Sequence, residues 1–141
     1  MDADRLRSDL VRDEGLRLKP YRDTVGKLTI GVGRNLDDVG ISQPEALVLL
    51  SSDIERVVSD LTARVPCWVA LDEVRQRVLA NMAFNLGISR LLGFVQTLSA
   101  VQSGRWADAS VAMLSSVWAQ QVGPRATRLA EMMRTGQDPP A

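Results

Sequence analysis

Glu14-Gly15-Leu16-Arg17-Leu18-Lys19-Pro20-Tyr21-Arg22-Asp23-Thr24-Val25-Gly26-Lys27-Leu28-Thr29-Ile30-Gly31-Val32-Gly33 is the stretch on which the fold turns. Just upstream, residues 4–13 place Leu6, Leu10 and Val11 at helical spacing with charge between them. That pattern predicts a helix closed by Gly15, a natural C′ residue. Inside the stretch the period changes to two. Leu28, Ile30 and Val32 fall on one face, and Thr29, Gly31 and Gly33 on the other. Residues 16–21 precede them, and Asp23-Thr24-Val25-Gly26 supplies turn chemistry between the two runs. The reading is an antiparallel hairpin with a short third strand near residues 34–36. If Leu28, Ile30 and Val32 face the core, Thr29 points away from it.

Downstream the pattern is helical. Residues 37–41 form a loop, and Ser42 with Glu45 fits a capping box. Leu47, Leu50, Ile54, Val57, Leu61 and Val65 make one stripe of a long amphipathic helix, which Pro66 stops. Helices follow over 72–86, 89–92, 94–103, 105–121 with a break near Ser116, and 124–135. Pro124 and Gly136 mark the two ends of the last. The tail, 137–141, contains Pro139-Pro140 and is expected to fray. The fold class is α+β, mostly α: a small antiparallel β-hairpin lobe joined by a long helix to a helical lobe. One domain spans 1–141. It has a β lobe at about 14–42, a connecting helix at about 43–65, and a helical lobe of about 66–136 together with residues 1–13. A cleft between unequal lobes is a common ligand site.

Composition narrows the chemistry. The chain has 141 residues, 45% of them hydrophobic and 24% charged, in the range of a globular domain with a core of its own. Seventeen basic residues balance 17 acidic ones, so no strong field draws the chain to nucleic acid. Residues 1–13 are charged and resemble neither a signal peptide nor a membrane anchor, so a soluble protein made in the cytoplasm is expected. Cys67 is the single cysteine, which rules out an intrachain disulfide, and histidine is absent. Ser-His-Asp and Cys-His catalysis are therefore excluded, as are nearly all zinc sites. No metal and no cofactor are expected.

Hydrolysis, if any, is left to carboxylates, Lys, Ser or an oxygen-bound metal. Glu14 ends the first helix, where partial negative charge disfavours an ionised carboxyl, and a general acid needs the protonated form. Asp23 lies at the hairpin turn and Thr29 on the strand beyond it. Two carboxylates flanking a glycosidic bond are the usual equipment of a glycosidase. The residues alone leave a second reading open, in which Asp23 merely stabilises its turn and Thr29 is an ordinary strand residue.

The quoted stretch resembles the signature of the phage-type lysozymes, glycoside hydrolase family 24, with Glu, Asp and Thr at matching spacing. The run from Trp118 to Arg128, and then Arg134-Thr135-Gly136, resembles that family's C-terminal end, and residues 72–87 its central helix. The resemblance implies a muramidase cutting the β-1,4 bond between N-acetylmuramic acid and N-acetylglucosamine in bacterial peptidoglycan, an endolysin of phage or prophage type. Glu14 would then be the general acid. Asp23 would act on water or on positive charge at the opposite face of the sugar, and Thr29 would help hold the water. The resemblance also implies inversion at the anomeric carbon, with Arg125 pairing with Glu14 and Asn85 and Gln121 supporting the cleft. It would act as a monomer on the cell wall, without membrane insertion or nucleic acid, once a separate membrane-permeabilising protein gives access.

The sequence departs from the family in places. Arg34 stands where many relatives have His, so local ion pairing must differ. Asn85 stands where a relative has Gln. The segment between Gly33 and the long helix is short, which predicts a small β lobe. Asp37-Asp38 is read as a solvated pair rather than a cation site. Trp106, Trp118, Met113, Met132 and Met133 are read as core, and Cys67 as a buried small residue. The competing readings are a lytic transglycosylase on the same bond, an inactive lysozyme-like glycan-binding or structural module, and a small helical DNA-binding protein.

Overall fold

The protein is described by a computed structural model covering residues 1–140. The elements in chain order are α1 (Ala3–Glu14), β1 (Arg17–Arg22), β2 (Leu28–Gly31), β3 (Arg34–Asn35), α2 (Gln43–Arg64), a single 3-10 turn (Trp68–Ala70), α3 (Glu73–Leu86), α4 (Ile88–Leu92), α5 (Val95–Gln102), α6 (Trp106–Leu114), α7 (Val117–Val122) and α8 (Pro124–Thr135). The strands form one antiparallel sheet in the order β1-β2-β3. This is the mostly-α, α+β architecture of a lysozyme-like chain. Ala141 of the predicted frayed tail lies outside the described residues.

The chain divides into two compact units, Met1–Leu49 and the residues from Leu50 onward. The sequence expectation placed residues 1–13 with the helical lobe, whereas this division puts α1 with the sheet. Two local features account for that grouping. Helix α1 buries none of its own residues, and its last residue, Glu14, packs against Gly33 in the β2–β3 turn.

In the first unit Thr29 is the only buried residue. Polar bonds hold this unit together more than apolar packing does. The capping box forms as expected: the Ser42 N–H donates to Glu45 Oε2 at 2.7 Å, and the Glu45 N–H to Ser42 Oγ at 3.3 Å. Arg34 grips the same Glu45 in a bidentate pair at 2.8 and 2.9 Å and also donates to the Gly40 carbonyl. The Arg34 hydrogen bond, reinforced by the Ser42 N–H, pulls the Glu45 pKa down to about 2.

The second unit carries the apolar core. Val78, Leu79, Met82, Ala83 and Leu86 line one side of α3 and meet Ala126, Leu129, Ala130, Met132 and Met133 of α8. Trp118 and Met113 are buried as expected, while Trp106 and Cys67 are only half-buried. Arg75 replaces an apolar residue in this layer. Its Nε donates to the Met133 carbonyl at 2.7 Å, Nη2 to the Arg134 carbonyl at 3.1 Å, and Nη1 to Asp72. Its guanidinium carbon lies over the Trp106 ring, 3.9 Å from the centroid. The last carbonyls of α8 thus receive a charged cap.

The stripe predicted on α2 is buried only at its end, at Leu61 and Val65, while Leu47, Leu50 and Ile54 stay exposed. Leu6, Leu10 and Val11 of α1 are exposed as well. Periodicity marks the apolar face of a helix but not what covers it.

Candidate active site

Glu14 is the last residue of α1. The following N–H, of Gly15, donates to the Val11 carbonyl at 2.9 Å and closes the helix. The side chain is exposed, and within residues 1–49 it forms no ion pair. Its carboxyl rests on bare backbone. A Cβ placed on Gly33 would lie 3.1 Å from Glu14 Oε2 and 3.3 Å from Cδ. Gly33 has φ +70°, so glycine is required there twice over, for its backbone and for the space it leaves.

Asp23 stands at the hairpin turn with its carboxylate fixed by the turn itself. Oδ1 accepts from the Val25 N–H at 3.0 Å and from the Lys27 N–H at 2.8 Å. Among the described residues nothing donates to Oδ2. The Asp23 N–H in turn donates to the Lys27 carbonyl at 2.9 Å.

Thr29 corrects an expectation. Alternation along β2 was read as turning it away from the core, yet it is 3% exposed, while Leu28 and Ile30 are only half-buried. Alternation separates two faces of a strand without saying which is covered. The hydroxyl makes the burial affordable, because Thr29 Oγ1 donates to the Lys27 carbonyl at 2.9 Å. Its lone pairs remain available as acceptors.

The backbone of Lys27 therefore joins the two residues. Its N–H holds Asp23, and its carbonyl receives both the Asp23 N–H and the Thr29 hydroxyl. Sequence reading missed this part, and missed Gly33 beside Glu14. An Asp followed by turn residues and a Gly signals the first. No local pattern signals the second, because Glu14 and Gly33 meet only in the folded chain.

The loop after β3 buttresses the hairpin. The Leu28 N–H donates to Asp37 Oδ2 at 2.8 Å, and Lys27 Nζ pairs with Asp38 Oδ1 at 3.1 Å. Asp38 also exchanges hydrogen bonds with the Asn35 side chain. The expectation that Asp37-Asp38 is merely solvated is corrected: both acids complete backbone and side-chain bonds that β3, two residues long, is too short to supply.

The predicted supporting residues lie in the second unit. Asn85 Oδ1 accepts from Trp118 Nε1 at 2.9 Å. Gln121 is exposed and, with Trp118 and Phe94, lines a groove of 610 Å³. Arg125 donates from Nε to Asn81 Oδ1 at 2.8 Å. Among the described residues no helix is long and apolar enough to cross a membrane.

A helix ending in Glu14, a small antiparallel hairpin with Asp23 at its turn and Thr29 on its second strand, and a helical unit after them are what a lysozyme-like chain is built from. Residues 11–134 match the phage lysozyme family, and the chain belongs to that family. It is 33% identical to the pre-baseplate central spike protein Gp5 of Enterobacteria phage T4, over 90% of this chain and 27% of that protein. It is 27% identical to the probable T4-type lysozyme 2 of Dictyostelium discoideum, over 93% of this chain and 94% of the relative. Over 59% of its length it is 34% identical to the SAR-endolysin of Escherichia phage Mu, covering 49% of that protein. The chain thus spans about a quarter of the spike protein and nearly all of the Dictyostelium lysozyme.

Proposed function

We propose that the chain is a lysozyme that hydrolyses the β-1,4 bond from N-acetylmuramic acid to N-acetylglucosamine in bacterial peptidoglycan. One observation carries the reading. Asp23 and Thr29, tied through the Lys27 backbone, each keep acceptor capacity while their other bonds are already made. A water held there donates one proton to Asp23 Oδ2 and one to Thr29 Oγ1. Its lone pair is then free to attack the muramic acid C1 as Asp23 takes up a proton. Glu14 protonates the oxygen that leaves. Attack from the face opposite the leaving group inverts the anomeric carbon. Orientation by fixed backbone donors lowers the entropic cost of the step. Arg125, Asn85 and Gln121 are assigned the supporting roles, Arg125 by pairing with Glu14. The enzyme acts as a monomer of endolysin type, made in the host cytoplasm and reaching the wall once a separate protein opens the membrane.

The test is muropeptide analysis by mass of purified peptidoglycan treated with wild type, Glu14→Gln and Asp23→Asn. Wild type should release reducing-end products, Glu14→Gln none, and Asp23→Asn at least about a hundredfold less, the scale of general base catalysis. Full activity in Glu14→Gln would sink the proposal, and anhydro products would transfer it to a lytic transglycosylase.

A further inference from the structure

Residues 15–22 contain Arg17, Lys19 and Arg22 and no acid, although the chain as a whole is neutral. Of the two arginines, Arg22 is engaged, donating to the Gly26 carbonyl at 3.1 Å. Arg17 is different. Its guanidinium carbon lies 4.4 Å from the centroid of the Tyr21 ring, and among the described residues that guanidinium makes no ion pair and donates no hydrogen bond. A guanidinium held over a ring by its charge still has N–H groups free to donate. An exposed arginine left to itself samples many rotamers, whereas this one is held by a ring. Across the ladder from Arg17 stands Gly31, and a Cβ added there would meet nothing within 4 Å. Tyr21 is itself paired in register with Thr29.

A guanidinium fork held over a ring and free of other partners suits a planar anion taken in two parallel hydrogen bonds. We propose that Arg17, stacked on Tyr21, is a specificity residue that binds a carboxylate of the peptide carried by the glycan substrate. The inference rests on the lysozyme reading for its substrate. A glycan of this wall is uncharged along its sugar backbone where the lactyl groups carry peptide, so its carboxylates lie on those peptides. The Arg17 fork would then register peptide-bearing muramic acid on the sheet.

The test reads binding rather than turnover, so it does not depend on activity. Glu14→Gln and Glu14→Gln/Arg17→Ala are cosedimented with two insoluble wall preparations: intact, and intact with the peptide carboxylates converted to amides. Arg17→Ala should weaken binding about five- to tenfold on intact wall only, the scale of a partly exposed charged hydrogen bond. Arg17→Lys should restore only part of it, since an ammonium neither stacks flat nor forks. Equal weakening on both walls, or none on intact wall, overturns the proposal. Muropeptide release by the wild type on the same preparations reports separately on the lysozyme reading.

Discussion

Gly33 is the residue on which the position of Glu14 depends. Its φ of +70° costs any L-residue about 1–2 kcal/mol. Its empty side-chain position is occupied by the Glu14 carboxyl, so a methyl there must displace Oε2. Gly33→Ala combines both effects, and Gly40→Ala separates them. Gly40 has φ +65°, but its Cβ would meet only the Leu36 carbonyl oxygen, at an ordinary 3.9 Å. Both variants should lose a similar amount of stability in urea unfolding. Under the proposed function, Gly33→Ala alone should lower muropeptide release, by about threefold or more, because the Glu14 carboxyl must give way by a few tenths of an ångström and a misplacement of about an ångström can cost a hundredfold. Similar activity in the two variants would show that Gly33 serves the backbone only.

Among the elements, α8 ends on a side chain from α3 rather than on a cap of its own alone. Arg75 serves the Met133 and Arg134 carbonyls and covers Trp106, and Gly136 leaves room for it, since a Cβ there would fall 2.7 Å from Nη1. Arg75→Ala should cost about 2–4 kcal/mol in urea unfolding, from unsatisfied carbonyls and lost packing. A loss under about 1 kcal/mol would mean that water replaces the guanidinium at no cost. Nothing local announces this role. In the sequence Arg75 is a charge at a core position of a helix, and its partners lie 58 and 59 residues away. By contrast, the ends of α8, the Ser42–Glu45 box and the break at Ser116 were legible, because caps are written within a few residues of the helix they serve. The Glu14, Asp23 and Thr29 spacing stands out through the family resemblance, not through a cap or turn of its own. Thr29's orientation and the exposed stretch of the α2 stripe were not legible, since both depend on what packs over them.

Two properties of the whole molecule follow from how its parts are held. The first is acid sensitivity. Glu45, held by Arg34, has a folded pKa of about 2 against an ordinary 4.5. A lowered folded pKa means that the folded state binds fewer protons than the unfolded one between those values. The contribution is present above pH 4.5 and is lost as the pH falls toward 2. Glu131 beside Arg134 is shifted in the same direction, as is Asp72 through its Arg75 bonds and against its partial burial. The urea midpoint should therefore fall between pH 5 and pH 2.5, a window set by these carboxylates. The fall should be shallower in Glu45→Gln, whose amide cannot titrate. An unchanged slope in that variant would assign the acid sensitivity elsewhere.

The second property is uneven stability. In the first unit Thr29 alone is buried, and bonds from Asp37, Asp38, Asp23 and Glu45 do much of the holding. The second unit is built on a contiguous apolar cluster from Leu61 to Met133. Regions with few buried apolar contacts open at lower free energy than the global transition. Native-state hydrogen exchange should therefore find the β1–β3 amides opening at least roughly 2 kcal/mol below those of α3 and α8. Asp37→Ala removes the acceptor for the Leu28 N–H. It should widen that gap by speeding exchange in β2 and β3 while leaving α3 and α8 unchanged. If strands and core helices exchange at one common free energy in the wild type, the sheet that carries Asp23 and Thr29 is as firmly held as the core, and the polar buttress contributes no separate stability.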